Sequence, residues 1–137
     1  MVEPSEFQFS EPYLVNLRFR MNDAFHDTGD DPIGVNLQIE NVIRKHKDNP
    51  NAATVDVTVS MGDGDDSLPF KLTVTMRADF RWADGAYDDD TLHILLKQNA
   101  TATLLSYIRP IVSMTTNASP VSVYNIPYID LTKGGFE

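Results

Sequence analysis

The sequence predicts an α+β fold: a four-stranded antiparallel sheet with helices packed on one face. Three observations carry this expectation. Four runs between Tyr13 and Trp82 alternate apolar and polar residues, the two-residue period of a half-buried strand. The stretches between them are rich in Gly, Pro, Asn and Asp, which connect strands by turns. The last third then changes to helical spacing, and strands followed by helices give one layer of helix on one sheet face. At 137 residues the chain reads as one domain, 1–137, long enough to bury a core.

Residues 1–12 are polar with two prolines and read as a flexible N-terminal arm from which Phe7 and Phe9 can dock. The first strand sets Val15, Leu17, Phe19 and Met21 against Asn16, Arg18 and Arg20. Asp23 to Pro32 is a loop by composition, with Phe25 its only bulky apolar residue. The second strand sets Val35, Leu37 and Ile39 against Asn36, Gln38 and Glu40, and Arg44 to Ala52 reads as a turn region. Val55, Val57, Val59 and Met61 form the inner row of the third strand, which ends in the hairpin signal Gly62–Asp66. The fourth strand is the longest, with Leu72, Val74, Met76, Ala78, Phe80 and Trp82 facing one way.

The polar row of this sheet holds Arg18, Arg20, Lys71, Arg77 and Arg81 against Glu40, Asp56 and Asp79, so that face is balanced or slightly positive. After Trp82, one of Asp88, Asp89 and Asp90 caps a short amphipathic helix carrying Leu92, Leu95 and Leu96. The main helix begins near Thr101. It has one stripe of Leu104, Ile108 and Val112 and a second of Tyr107, Ile111 and Met114. Two apolar stripes exceed what one sheet face needs and point to a second apolar neighbour. Pro110 predicts a bend or a join, and Pro120 keeps the helix from resuming. Val121 to Ile129 is β-branched and aromatic but holds Pro127, which makes it an edge strand or a lining segment.

Composition excludes several functions. The 11 Lys plus Arg against 20 Asp plus Glu give a net charge of −9, which argues against nucleic acid as a partner. The absence of cysteine removes disulfides, thiolate catalysis and cysteine-bound zinc. No apolar run approaches the roughly 18 residues of a spanning helix, and the acidic start is unlike a signal peptide. A soluble, cytoplasmic protein with no membrane insertion is expected. Asp63–Ser67 resembles the start of a calcium loop, but Leu68 and Val74 stand where that loop needs glycine and an acid. His26, His46 and His93 fall in separate elements without ligand spacing. With no nucleophile elbow and no phosphate-binding glycine loop, the expectation is a protein that is not an enzyme and uses no cofactor or metal. The aromatic residues beside Pro127 favour contact with other polypeptides.

The order of elements and several motifs also resemble a family. Four antiparallel strands, a helix carrying Ser106-Tyr107-Ile108-Arg109, then Asn117-Ala118-Ser119-Pro120 and Asn125-Ile126-Pro127, are similar to SecB, the export chaperone. The family's helix typically carries Phe-Pro-Tyr-x-Arg, followed by a Gly-x-x-Pro turn and an apolar segment with a proline. Tyr107, Arg109, Pro120 and Pro127 match, while Leu105 and Ser106 replace Phe-Pro. The strand from Phe70 to Phe80 aligns without gaps, and the likeness spans roughly residues 13–131.

This resemblance implies an ATP-independent chaperone that holds unfolded proteins, such as preproteins for export, in hydrophobic grooves on a dimer or dimer of dimers (a tetramer). The groove implied lies between the Met21–Ile33 crossover loop and the helix layer, lined by Phe25, Val35, Leu37, Ile39, Tyr107, Tyr124, Ile126 and Tyr128. Leu104, Tyr107, Ile108, Ile111 and Met114 are the implied oligomer contacts. The family docks its motor, SecA, partly through carboxylates on the wet sheet face; the matching positions here are Asn16, Arg20 and Thr73. The family's C-terminal helix, which also contacts SecA, has no counterpart in these residues. The alternative is a structural or assembly protein, or one associated with a toxin–antitoxin system, that uses the same fold for one dedicated partner.

Overall fold

A computed structural model describes residues 1–23, 25, 36–62 and 68–133. The strands are β1 (Phe7–Phe9), β2 (Tyr13–Met21), β3 (Leu37–Lys45), β4 (Ala52–Met61) and β5 (Phe70–Trp82). They are followed by helix α1 (Asp89–Ile94), a π-helical turn (Leu95–Asn99), helix α2 (Ala100–Asn117) and one 3-10 turn (Leu131–Lys133). The sheet is antiparallel throughout. Strand β5 is its spine: one edge carries β4 with β3 beyond it, and the other carries β1 and β2 end to end.

The expected α+β architecture holds, with a fifth strand. Part of the stretch read as a flexible arm is this strand: Phe7–Phe9 pairs with Phe80–Trp82, and the Phe7 and Phe80 rings stack at 5.4 Å. Ser10 carries the edge across the gap between β1 and β2, its N–H donating to the Asp79 carbonyl at 2.8 Å and its Oγ accepting from the Asp79 N–H. Pro12, which has no N–H to offer, falls in that gap.

A second departure is a bulge. Leu14 pairs with Met76 and Asn16 with Thr75, which leaves Val15 as the extra residue. The inner row of β2 is therefore Leu14, Leu17, Phe19 and Met21, and Val15 drops out of the row that alternation assigned it. Strand β3 also runs on through Arg44 and Lys45, which the charge-rich sequence had marked as turn. Arg44 belongs there because its guanidinium reaches Asp56 on β4, 3.1 Å away.

The core lies between the two central strands and the helix. Val55, Val57, Val59, Leu72, Val74 and Phe80 are all buried under Leu96, Ala100, Leu104, Leu105, Ile108 and Val112. The helical set recurs every four residues, so one stripe of the helix covers the inner rows of both central strands. Asp88 caps α1, its Oδ1 accepting from the Thr91 N–H at 2.7 Å. The π-helical turn joins α1 directly to α2. Asn41, in the inner row of β3, braces it: its Nδ2 lies 2.8 Å from Thr101 Oγ1 and 3.3 Å from the Leu96 carbonyl. Pro110 neither ends nor joins a helix, because it sits inside α2 on an exposed position. The carbonyl it leaves unpaired belongs to exposed Ser106, where water can take its place. Gly62 closes β4 at φ +78°, and a Cβ there would run into the Phe70 carbonyl oxygen, so only glycine fits.

On the wet face, Asp56 receives Arg77 through two bonds of 2.7 and 2.9 Å as well as Arg44. Burial works to raise its pKa, but the hydrogen bonds and charges of the two guanidinium groups outweigh that and hold the carboxyl below its ordinary 3.8. A carboxyl lowered in the folded state contributes stability above the unfolded pKa and loses it as pH falls through the folded one. In urea titrations, Asp56→Asn is expected to be less stable than the parent at neutral pH, with the gap closing below about pH 3.8. A gap that stays constant into acid would refute this. Asn41→Ala leaves the braced turn without its donor and is expected to cost about 1–3 kcal/mol, read from the same titrations; an unchanged midpoint would show that the brace is idle.

Candidate functional site

Helix α2 has two flanks with different surroundings. At about 100° per residue, Tyr107, Ile111 and Met114 lie on one side of the buried stripe and Arg109, Ser113 and Thr116 on the other. The first flank is apolar and partly open: Tyr107 is 40% and Met114 73% exposed. It faces the edge of the sheet, where the Phe9 ring meets Tyr107 edge-on at 6.5 Å. Leu14 and Leu17 on β2 share the sheet face that α2 covers, yet remain 45% and 41% exposed because the helix lies over β4 and β5. An uncovered apolar strip thus runs from the open edge of β2 to α2. Leu104 and Ile108 do not belong to it. Both are wholly buried within the chain's own core, so neither is free for the oligomer contact expected of them.

On the opposite flank the chain returns along the helix as a strap without ladder partners. Residues 121–130 form no strand, so the edge-strand alternative does not hold. Three side chains of α2 fasten the strap in reverse order. Thr116 Oγ1 accepts from the Tyr124 N–H at 2.9 Å while donating to the Val112 carbonyl. Ser113 Oγ donates to Asn125 Oδ1 at 2.8 Å. Arg109 donates to the carbonyls of Ile126 and Pro127, at 3.4 and 3.1 Å, with its guanidinium 5.7 Å from the centre of the Tyr128 ring. Ile126 plugs into the core, and half-buried Tyr124 has its phenol pKa pushed up by burial. Tyr128 is left 99% exposed.

Of the groove residues expected from the sequence, Tyr124, Ile126 and Tyr128 are brought together on this strap. Leu37 and Ile39 are half-buried on β3, on the helix side of the sheet. Half-buried Phe25 follows β2, its N–H bonded to the Asn22 carbonyl at 3.1 Å. Val35 lies outside the described residues. Tyr107 departs from the set: it faces β1, at the other side of the sheet from β3, and lies on the flank away from the strap. Because the sheet order separates β1 from β3 by two strands, Tyr107 and the Leu37–Ile39 pair cannot line one continuous groove. The fastening residues Ser113 and Thr116 were not singled out in the sequence. Their one signal is hydroxyl and guanidinium groups at helical spacing beside the apolar stripe.

His46 contacts Thr54 on the wet face, Nε2 to Oγ1 at 2.8 Å, while the Thr54 hydroxyl donates to Asp79. That orientation ties the hydroxyl to the carboxylate and leaves no activated nucleophile. His93 is exposed on α1, and His26 lies outside the described residues. No group of three or more His, Asp or Glu is placed to hold a metal ion among the described residues, and no helix there is long and apolar enough to cross a membrane.

Comparison with solved structures places this architecture. The chain is similar to the SecB-like chaperone Rv1957 of Mycobacterium tuberculosis, solved in complex with a ChAD peptide from the Rv1956 HigA1 antitoxin. The TM-score is 0.71 at 13% identity, over 90% of each chain. A protein of unknown function from Streptococcus agalactiae also matches, at 8% identity and a TM-score of 0.48, over 92% of this chain and 100% of the other. No protein-family model and no curated protein matches the sequence. The fold is therefore SecB-like, as the motifs in the sequence implied.

The strap's attachment is testable. Arg109→Ala removes two hydrogen bonds from a charged donor, a loss of about 1 kcal/mol in this partly exposed setting. Amide exchange at Tyr124, whose N–H is bonded to Thr116, is expected to quicken about fivefold, with global stability lowered by the same amount, about 1 kcal/mol. Unaltered exchange there would mean that Thr116, Ser113 and Ile126 hold the strap without Arg109.

Proposed function

We propose that this chain is an ATP-independent, SecB-like holding chaperone that keeps unfolded polypeptide in an apolar groove, and that no catalysis or cofactor is involved. The observation that carries the reading is the strap. A segment with an exposed Tyr128, an anchored Ile126 and no strand partners lies along the flank of α2 that carries Arg109, Ser113 and Thr116. Such a site offers apolar surface and unpaired backbone to an extended client. Burial of apolar side chains has no directional requirement, which suits clients of varied sequence. Among the described residues, Phe25, Leu37, Ile39, Tyr124, Ile126 and Tyr128 line the groove in this reading.

The other flank belongs to self-association in the same reading. Tyr107, Ile111 and Met114, continued by Leu14 and Leu17, form the contact between copies, in a dimer or dimer of dimers. Such a protein would work in the cytoplasm. A single dedicated client is favoured over export through SecA by two observations. Rv1957, of the same fold, was solved with a peptide from an antitoxin. The positions matching the family's acidic docking residues hold Asn16, Arg20 and Thr73.

The test is dilution of a chemically denatured protein into buffer without ATP, followed by light scattering. Suppression close to one client per oligomer is expected, and Tyr128→Asp together with Ile39→Asp should weaken it at least fivefold. No suppression by a chain with normal circular dichroism would refute general holding. Native mass gives the second readout: Tyr107→Asp or Ile111→Asp is expected to lower it, and an unchanged mass would remove that flank from the assembly.

A further inference from the structure

The wet face of the sheet neutralises its cations at one end and not at the other. Arg44 and Arg77 converge on Asp56, as described. Toward the opposite end, Arg20 on β2 stands directly across from Lys71 on β5, and Arg18 across from Thr73. Opposed residues in an antiparallel pair hold their Cβ atoms about 5 Å apart, and next-but-one residues on a strand are about 7 Å apart. Three exposed cations therefore share one corner. The same rows continue through Ser60 and Gln38, which are uncharged. Glu40 lies on β3, three strand steps from β2, or about 14 Å. No ion pair among the described residues involves Arg18, Arg20 or Lys71.

Like charges opposed on a sheet repel, so this corner works against the fold that carries it. It does so in a chain where acids outnumber bases 20 to 11. We infer that the Arg18–Arg20–Lys71 corner is a docking surface for a short acidic segment of a partner protein. The fold already shows the recognition chemistry, since Arg77 grips the Asp56 carboxylate through two parallel bonds. Arg18 and Arg20 offer the same planar forks to carboxylates from outside, with the Thr73 and Ser60 hydroxyls beside them. Charge decides the kind of partner. The net charge of −9 repels long polyanions such as nucleic acid or an anionic bilayer. A short segment feels mainly the charges within a Debye length, about 8–10 Å at physiological salt, and the described residues of the rows it would lie on, Arg18, Arg20, Lys71, Thr73, Ser60 and Gln38, include no acid. This surface is on the opposite side of the sheet from α2 and the strap, and the inference does not depend on the holding function.

The probe is fluorescein-labelled hexaglutamate, followed by anisotropy at low and physiological salt with the full chain. Binding is expected, with affinity falling at least fivefold in Arg18→Gln/Arg20→Gln and in Lys71→Gln, and unchanged in Arg81→Gln at the far end of β5. Circular dichroism confirms that each variant folds. No binding to the folded parent, or binding indifferent to the Arg18/Arg20 change, overturns the proposal. Tighter binding of a hexanucleotide or of phosphatidylserine vesicles than of hexaglutamate overturns it in favour of another polyanion. Binding that emerges only in Asp63→Asn/Asp65→Asn/Asp66→Asn also overturns it, since the chain's own β4–β5 loop would then be the occupant.

Discussion

Strands β1, β2 and β4 and helix α2 all meet β5, and β3 reaches it through β4. The thirteen residues of β5 use both edges for backbone pairing, one face for the core and the other for the ionic ladder. Its inner row is buried from Phe70 to Trp82, so the helix layer has one surface on which to settle. At roughly 25 cal/mol per Å2 of apolar surface, this face accounts for far more stabilisation than any polar contact in the molecule. The polar contacts have a different task. They decide which way the helix layer lies on that face and what remains uncovered.

Because a single helix layer covers a sheet wider than itself, apolar residues at the margins stay partly in water. On one margin these are Phe9, Leu14 and Leu17; on the other they are Leu37 and Ile39 on β3. A buried row under one helix is enough for folding, and both uncovered margins remain available for contact with other chains. That division follows from sheet width, not from a special motif. Asn41 takes part in setting it, since its amide pins the π-helical turn and through it the position at which α2 begins.

The central strands were legible in the sequence because their inner rows are unbroken: Val55 to Met61 and Leu72 to Trp82 alternate without exception, and burial follows that alternation. The edges were less legible because edge strands are only half-buried and their pattern is diluted. Phe7–Phe9 is too short to show a period, the bulge at Val15 shifts a row by one residue, and Arg44 sits in β3 because of a partner twelve residues away. Helical spacing separated the two apolar stripes of α2 but could not say that Leu104 and Ile108 meet the sheet while Tyr107 meets β1. That depends on the rotation of the helix about its own axis. The strap's fastenings were invisible for a related reason: hydroxyls on helices usually bond back to their own turn, as Thr103 does to Asn99.

Thr116 joins two structures that otherwise have separate fates. Its hydroxyl gives its proton to the last full turn of α2 and takes one from the strap, so a frayed helix end and a released strap are one event. Helix ends fray with far smaller free energies than whole domains unfold, and on much shorter timescales. The strap's first point of attachment is thus governed by thermal breathing of a single turn, with the rest of the core intact.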